Sequence, residues 1–370
     1  MLYYLLYSLH DQISVFNVVR YITFRTAYAG LTALFVALFM GPWVIRRLRE
    51  FQIGQQIRQD GPQAHQSKAG TPTMGGLLII FSILVPTLLW GDLKNIYVWI
   101  AMGSLLLFGL VGFLDDYLKV IRKQSQGLRG NQKILLQLIV SAAIAVTLVV
   151  LSQYGLYSTR LSVPFFKNFT PELTGVIFGV ATFVPLILFT LLVLIATSNA
   201  VNLSDGLDGL AAGLTLIAAS ALSVLTYITG HAQFAEYLDL IKNPYAAELT
   251  IFCGAMVGAT LGFLWHNAYP AQIFMGDVGS ISLGGAIGTV AVLIKQELLL
   301  LFIGGIFVVE ALSVILQVAS FKLTGKRLLR MAPIHHHFEL MGWKEPKVVI
   351  RFWILGLVVA LFSLSTLKLR

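Results

Sequence analysis

The sequence predicts an all-α, polytopic integral membrane protein with about ten transmembrane helices, and three observations lead to this fold class. Of the 370 residues, 57% are hydrophobic and only 12% are charged, whereas a soluble domain carries about 25% charged residues. The mean hydropathy of +0.81 indicates that the apolar excess lies in lipid. The apolar residues also occur in long runs separated by short polar segments. We therefore expect residues 1–370 to form a single transmembrane domain.

A helix that crosses a bilayer needs about 20 mostly apolar residues, and ten runs approach that length. In chain order they are 26–45, 73–90, 96–114, 134–152, 174–197, 210–229, 248–264, 279–294, 298–320 and 350–367. The eighth run is short and contains Gly284, Gly285 and Gly288, which we expect to permit close contact with neighbouring helices. Ten spans place both termini on the same side of the membrane.

The positive charges in the loops predict the orientation of the chain. One set of loops comprises 46–72, 115–133, 198–209, 265–278 and 321–349. It holds 16 Lys and Arg residues, whereas the other loops and the termini hold 9. The positive-inside rule assigns the first set to the cytoplasm and both termini to the periplasm. Because this rule also explains the net charge of +9, we expect no nucleic-acid partner.

The acidic motifs fall at the predicted cytoplasmic surface, although they played no part in the charge count. Their members are Asp115, Asp116, Asp205, Asp208 and Asp277. Two of the cytoplasmic loops, 198–209 and 265–278, contain acidic residues but no Lys or Arg. Such loops suit a cation site, although short loops also vary in charge without any functional reason. We predict an active site at this surface.

Asp115 and Asp116 follow the third apolar run directly. A carboxylate at a helix C-terminus is unfavourable because the helix dipole is negative there, so a merely solvated helix end explains the pair poorly. Adjacent helical residues point about 100° apart. One carboxylate could therefore face the site while the other takes a structural partner. The pair could bind a divalent cation, or one member could act as a base.

Four polar side chains recur at three-residue steps in the third cytoplasmic loop: Asn199, Asn202, Asp205 and Asp208. On a helix, neighbours at this spacing share a face but the two ends of the series do not. Gly206 and Gly209 indicate that the second half is a turn. The segment could simply cap the next helix, but four polar groups exceed what a cap requires.

Asp277 opens the eighth apolar run. It could cap that helix, or it could bind Mg²⁺ beside a helix N-terminus that also attracts phosphate. Phe274 precedes it and could stack on a flat ring or belong to the aromatic belt of the membrane.

Several basic residues and one intramembrane acid complete the candidates. Lys68 could hold a phosphate as a point charge, although the Walker A spacing is absent and a polar entry turn is an alternative. Lys133 is either a phosphate contact or a positive-inside residue.

The consecutive residues His335, His336 and His337 cannot all face one zinc ion on a regular helix, so we favour phosphate or sugar binding by an irregular loop. Glu310 lies within the ninth run, and we interpret it as a packing or flexing site far in depth from the other acids.

Five segments together resemble the family of phospho-N-acetylmuramoyl-pentapeptide transferases, within the polyprenyl-phosphate N-acetylhexosamine-1-phosphate transferase superfamily. They are Gly-Thr-Pro-Thr-Met-Gly-Gly (70–76), Asp115-Asp116, the Asn-Ala-Val-Asn-Leu-Ser-Asp-Gly-Leu-Asp-Gly segment (199–209), Phe-Met-Gly-Asp-Val-Gly-Ser (274–280) and Pro-Ile-His-His-His-Phe-Glu (333–339). The histidine segment separates this family from relatives that transfer N-acetylglucosamine phosphate. The resemblance covers essentially the whole chain.

The resemblance implies a transferase of the bacterial inner membrane that moves phospho-N-acetylmuramoyl-pentapeptide from UDP-N-acetylmuramoyl-pentapeptide to undecaprenyl phosphate. The products would be lipid I and UMP, in peptidoglycan synthesis. It also implies a Mg²⁺ cofactor and a homodimer in the lipid bilayer.

The family's roles carry over to matching residues of this sequence. Asp277 would bind Mg²⁺, Asp115 would be the candidate base, and Asp116 would complete the catalytic acids. The uridine pocket would contain Lys68, Asp208 and Phe274. The remaining substrate contacts would come from Thr73, Lys133, Asn199, Asn202, Asp205, Asn267, His335, His336 and His337. His266, beside Asn267, is a histidine that the resemblance does not explain.

Two other functions remain alternatives at this point. An N-acetylglucosamine-1-phosphate transferase of the same superfamily would share the acidic motifs. An ion-coupled secondary transporter would also use buried acids, but transporters place them near the bilayer midplane, in broken helices of internal repeats. For the transferase, we favour direct attack by the lipid phosphate over a covalent aspartyl-phosphate intermediate.

Overall fold

Helices form almost all of the regular structure of this chain. A computed structural model describes residues 1–51, 70–122, 127–166, 169–177 and 180–368. The first helices in chain order are α1 (Leu2–Ser8), α2 (Ile22–Glu50), α3 (Gly76–Trp90), α4 (Ile96–Arg122), α5 (Gly130–Gln153), α6 (Val184–Ser204) and α7 (Leu210–Gly230). The later helices are α8 (Ala232–Tyr237), α9 (Leu249–Asn267), α10 (Gly276–Leu293), α11 (Glu297–Ile303), α12 (Gly305–Thr324), α13 (Ile334–Leu340) and α14 (Glu345–Ser365).

Short elements complete the described part of the chain. Strands β1 (Gly175–Ile177) and β2 (Val180–Thr182) pair antiparallel. Three 3₁₀ helices cover Ser14–Arg20, Pro244–Glu248 and Thr366–Lys368. Within the described ranges, nine helices are long and apolar enough to cross a membrane, namely α2, α4, α5, α6, α7, α9, α10, α12 and α14. The predicted polytopic, all-helical membrane architecture is confirmed, with α3 as a tenth, shorter apolar helix.

Four predicted spans differ from the observed helices, three of them at their start or by a break. The run 174–197 begins as the β1–β2 hairpin, because glycines and β-branched residues favour a hairpin there and Pro185 sets the start of α6. The run 298–320 breaks at Gly304 into α11 and α12, since glycine is a poor helix former. The run 73–90 becomes helical only at Gly76, because the backbone before it bonds to another loop.

The end of the third span was also predicted wrongly. Helix α4 continues to Arg122, eight residues beyond the predicted end at position 114. Asp115 and Asp116 therefore lie within the helix. Lys119 lies within a turn of both acids and forms ion pairs with them, so the added turns are stabilised by side-chain pairs at helical spacing.

Helix α10 lies at the centre of the bundle, with 89% of its residues buried. The predicted close contacts at its glycines are confirmed. A Cβ on Gly284 would lie 2.6 Å from the Cα of Ser198 in α6, and one on Gly285 would lie 2.3 Å from the ring of Phe108 in α4. These glycines let α4 and α6 approach α10 closely, which brings the polar ends of all three helices together.

The acidic motifs lie at one end of the bundle and the described chain ends lie at the other. Helix α14 begins beside Asp208, where the Glu345 carboxylate accepts a backbone hydrogen bond, and ends where Lys368 contacts Tyr237. The Met1 amino group donates to the Leu88 carbonyl at the far end of α3 (2.7 Å). The termini therefore share one end, as ten crossings require. That this end is periplasmic stays a prediction.

Candidate active site

Three carboxylates from two distant segments converge where α4 meets the start of α10. One oxygen from each of Asp115, Asp116 and Asp277 lies within 4.8 Å of the others. Gly112 makes this approach possible, because a Cβ there would lie 2.1 Å from the carbonyl oxygen of Asp277. Asp115 and Asp116 are only 3% and 2% exposed. The cluster is therefore a buried concentration of negative charge.

Two lysines balance this charge. The Lys119 ammonium lies 2.6 Å from an Asp115 oxygen, 3.2 Å from Asp116 and 3.0 Å from Asp277. Lys133 Nζ lies 2.9 Å from the same oxygen of Asp277 that Lys119 contacts. Sequence reasoning listed Lys133 as a candidate but missed Lys119. Lys119 follows Asp116 by three residues and Asp115 by four, and on a helix this spacing indicates that the side chains can form ion pairs.

The Asn199–Asp208 series divides between different surroundings, and the division already separates the neighbours Asn199 and Asn202, which were predicted to share a face. Asn202 lies within the acid cluster: its amide donates to Asp277 (2.8 Å) and its side-chain oxygen accepts from Lys133 (3.0 Å). Asn199 lies one turn earlier, and its amide donates to Gln137 (2.8 Å) and not to an acid. Of the two asparagines, Asn202 is therefore the one that orients Asp277.

Asp205 directly follows the end of α6 and lies near the carboxylates of Asp277 and Asp116. Its carboxylate faces the backbone N–H of Gly276, which favours the charged form. Burial, and then the charges of Asp277 and Asp116, raise the pKa of Asp205 to about 8. The site therefore contains a fourth acid that favours its protonated form near neutral pH.

Asp208 and Asn267 join the 198–209 loop to the 265–278 loop. The Asp208 carboxylate accepts from the N–H of Ala271 (3.0 Å). The Asn267 oxygen accepts from the N–H of Gly209 (3.0 Å), and its amide donates to the carbonyl of Ile273 (2.8 Å). Both side chains are buried. They hold the loop that carries Phe274, whose ring is half-buried.

The Gly-Thr-Pro-Thr-Met-Gly-Gly segment pairs with the backbone around Phe274. The Phe274 N–H donates to the Pro72 carbonyl (2.8 Å), and the Gly75 N–H donates to the Phe274 carbonyl (2.9 Å). Gly276 has a φ of +71°, and a Cβ there would lie 2.5 Å from Asp116 Oδ2 and 2.9 Å from Thr73 Oγ1. Thr73 thus borders the acid cluster. Lys68 lies outside the described residues.

The histidine segment forms the short helix α13, so the predicted irregular loop is wrong. As a helix requires, its rings point in different directions and take different partners. His335 is fully buried, with Nδ1 3.0 Å from a Glu310 oxygen. His336 Nδ1 lies 2.7 Å from Glu339, and His337 Nδ1 accepts from the N–H of Arg330 (3.2 Å).

Two residues that the sequence interpretation left outside the site now have defined surroundings. Glu310, interpreted as a packing site at a different depth, is linked through its carboxylate to His335. His266 is 6% exposed and faces α2, where a Cβ on Gly41 would lie 2.2 Å from its Nε2 atom. His266 is therefore a helix-packing residue in this structure.

The donor atoms of the acid cluster suit a hard divalent cation. Carboxylate oxygens from Asp115, Asp116 and Asp277 converge within one small volume, and hard cations such as Mg²⁺ take oxygen ligands of this kind. Lys119 and Lys133 add positive charge at the same place. The arrangement can bind phosphate groups and a cation together at the end of a membrane-spanning bundle.

Comparison with known proteins places this chain among enzymes. A family model described as glycosyl transferase family 4 matches residues 98–295. A model described as phospho-N-acetylmuramoyl-pentapeptide-transferase signature 1 matches residues 68–80. A phospho-N-acetylmuramoyl-pentapeptide-transferase of Koribacter versatilis is 60% identical over 380 residues, covering 100% of both chains. Enzymes with the same name from Acidobacterium capsulatum and Thermodesulfovibrio yellowstonii are 62% and 55% identical, again over 100% of both chains.

Proposed function

This chain belongs to the phospho-N-acetylmuramoyl-pentapeptide-transferase family, and we propose that it transfers phospho-N-acetylmuramoyl-pentapeptide from its UDP-activated form to undecaprenyl phosphate. The products are lipid I and UMP, and residues 1–370 act as one transmembrane transferase domain. The observation that carries this proposal is the convergence of Asp115, Asp116 and Asp277 with two lysines at one end of the bundle. Phosphoryl transfer requires positioning and charge neutralisation of this kind.

Mg²⁺ is the cofactor we propose for this cluster. Asp277 would hold the ion, with oxygens of Asp115 and Asp116 close enough to share it. When bound, Mg²⁺ neutralises negative charge on the diphosphate and on the attacking phosphate. Asn202 keeps the Asp277 carboxylate oriented through its 2.8 Å hydrogen bond.

The transfer itself needs little proton chemistry from the protein. A phosphate monoester has a second pKa of ~6, so the lipid phosphate is already mostly dianionic. One of its oxygens forms a bond to the phosphorus that carries the sugar. The bond from that phosphorus to the UMP oxygen breaks, and UMP leaves with the bonding electrons. In this proposal Asp115, held by the N–H of Leu128 (2.8 Å) and by Lys119, orients the attacking group more than it removes a proton.

The loops around Phe274 form the nucleotide-sugar side of the proposed site. Lys68, Asp208 and Phe274 are proposed to bind the uridine. The sugar, diphosphate and peptide would contact Thr73, Lys133, Asn199, Asn202, Asp205, Asn267, His336 and His337. The fully buried His335 would support this side of the site from behind. The hydrogen bonds of Asp208 and Asn267 to the Phe274 loop support a common pocket for these residues. We further propose a homodimer in the bacterial inner membrane.

The test is UMP release by the purified protein with undecaprenyl phosphate. UDP-N-acetylmuramoyl-pentapeptide should support release only when Mg²⁺ is present, and a chelator should stop it. Asp277→Asn should lower kcat/KM by at least about 100-fold. Asp11→Asn is the matched control, because Asp11 is 85% exposed and lies in the N-terminal segment. Release with UDP-N-acetylglucosamine and none with the muramoyl pentapeptide would overturn the proposal.

A further inference from the structure

Glu310 and His335 form a buried hydrogen-bonded pair between helices α12 and α13. Both side chains are 0% exposed, and His335 Nδ1 lies 3.0 Å from Glu310 Oε2. Ionisable groups of this kind are costly to bury. Their second polar atoms, Glu310 Oε1 and His335 Nε2, have no hydrogen-bond partner in the described part of the chain. An apolar pair would fill the same space at lower cost, so the packing of α12 alone does not account for these residues.

The other side of the His335 ring lies against the 198–209 loop. A Cβ on Gly206 would lie 2.3 Å from His335 Nε2 and 2.9 Å from Cε1. Gly206 is not among the glycines with positive φ. Glycine is therefore required at this position because the His335 ring leaves no room for a side chain. The backbone conformation of Gly206 does not itself require glycine. Because the His335 ring and the 198–209 loop are in close contact at Gly206, a shift of one would displace the other.

Two acids of the proposed nucleotide-sugar side lie within two residues of Gly206. The Asp205 carboxylate faces the backbone N–H of Gly276, the residue before Asp277. The N–H of Asp208 donates to Glu345 (2.8 Å). A displacement of Gly206 would move both acids.

We propose that Glu310 is a positioning residue, whose carboxylate fixes the His335 ring against Gly206 and thereby sets the Asp205–Asp208 loop for the nucleotide sugar. In this proposal the carboxylate accepts from Nδ1–H, which selects the tautomer with its proton on Nδ1 and holds the ring in the orientation seen. Ser313, on the same helix, accepts a hydrogen bond from the N–H of Ile334 (3.0 Å) and holds the start of α13. Helix α12 thus positions the histidine segment through two contacts.

This inference rests on the proposed function. The test measures two KM values separately, one for UDP-N-acetylmuramoyl-pentapeptide and one for undecaprenyl phosphate. Glu310→Gln should raise the nucleotide-sugar KM by about 10-fold, because small displacements of binding groups are costly. KM for the lipid should remain within about twofold, since the loop that moves belongs to the nucleotide side. Glu297→Gln is the matched control. It also removes a buried carboxylate that bonds to a basic side chain, but at the opposite end of the bundle, and it should leave both KM values unchanged.

A double-mutant cycle separates positioning from general destabilisation. If Glu310 acts through the imidazole, Glu310→Gln should have no further effect on the nucleotide-sugar KM in a His335→Ala background. Gly206→Ala provides a second route to the same answer. It should raise that KM in the wild-type background and have little effect when His335→Ala has removed the opposing ring.

Each outcome has a defined meaning. Independent, multiplicative effects of Glu310→Gln and His335→Ala would overturn the positioning role. Equal effects on both KM values would do the same, because they would indicate a general structural defect. If Glu310→Gln fails to fold, the Gly206→Ala pair of experiments decides alone. A wild-type protein that releases no UMP contradicts the proposed function, whereas an active wild type with an unaffected Glu310→Gln variant contradicts this inference only.

Discussion

At the scale of single residues, glycines determine whether the carboxylates can meet. Gly112 lets α4 touch the backbone of Asp277, and Gly276 leaves room for the Asp116 carboxylate. Neither glycine carries chemistry of its own. Each is needed because a single added carbon would occupy the space of a neighbouring backbone or carboxylate atom. The geometry of the acid cluster therefore depends on residues that a search for polar motifs passes over.

Gly112→Ala should separate α4 from α10 and disturb the acid cluster. Its Cβ would lie 2.1 Å from the carbonyl oxygen of Asp277, and overpacking of this kind costs about 1–3 kcal/mol. We expect a lower thermal midpoint and UMP release reduced by at least about 10-fold. Gly103→Ala is the control, because it lies on the same helix with nothing within 4 Å of the added carbon. Equal behaviour of the two variants would show that the close approach is unimportant.

Asp205 should make the metal-free protein less stable as the pH rises. Its ordinary pKa is 3.8 and its pKa in the folded chain is about 8. Between these values the folded state keeps a proton that the unfolded state releases, so stability falls with rising pH and levels off above the folded value. The thermal midpoint of chelator-treated protein should therefore fall from about pH 6 to about pH 8.

The Asp205→Asn variant isolates this contribution. Asparagine cannot ionise, so the fall in the thermal midpoint over the same range should be smaller than in the wild-type protein. Parallel curves for the two proteins would mean that the carboxyl does not retain its proton in the folded state.

At the scale of secondary structure, the existence of most helices could be predicted from the sequence and their ends could not. Hydropathy identifies a long apolar run, and the charged residues Asp115 and Asp116 therefore mark its apparent end. Helix α4 continues past them because Lys119, on the same helix, neutralises both carboxylates. The start of α3 was missed for the opposite reason. The residues before Gly76 are not helical because their backbone bonds to the Phe274 segment. No local sequence pattern reports a partner that lies so far along the chain.

A buried ion pair fixes the connection between α10 and α11. Lys295 Nζ lies 2.7 Å from Glu297, both side chains are 1% exposed, and Lys295 also donates to Tyr157. Lys295→Met would leave the glutamate buried without its cation, which costs about 3–5 kcal/mol. We expect a clearly lower thermal midpoint and unchanged KM values in the protein that remains folded, because the pair lies far from the acid cluster.

Restoring charge balance is the control for that prediction. The double substitution Lys295→Met with Glu297→Leu removes both charges, and it should recover part of the lost stability. A double variant as unstable as Lys295→Met alone would show that packing, and not the unpaired charge, causes the loss.

At the scale of the whole molecule, charge counting and motif placement led independently to the same arrangement. The loops rich in Lys and Arg and the acidic motifs were predicted to share one surface, and the structure brings Asp277, Asn202 and Lys133 together at one end of the bundle. Which residues would touch could not be predicted, since the contacts depend on how the helices pack. The histidine segment shows this: its sequence indicates an unusual site, but only the folded chain reveals Glu310 as the partner of His335.

The orientation of this bundle in the membrane can be tested with single cysteines. The only native cysteine, Cys253, is buried, so Cys253→Ser gives a background in which a membrane-impermeant thiol reagent has no native target. Tyr154→Cys places a thiol at an exposed position of the end that holds both termini, and Lys326→Cys places one in the basic segment after α12. By the positive-inside rule, the reagent should label Tyr154→Cys in intact spheroplasts and should label Lys326→Cys only after the membrane is opened. The reverse pattern would place the acid cluster outside the cell, away from a cytoplasmic nucleotide sugar, and would contradict the proposed function at its premise.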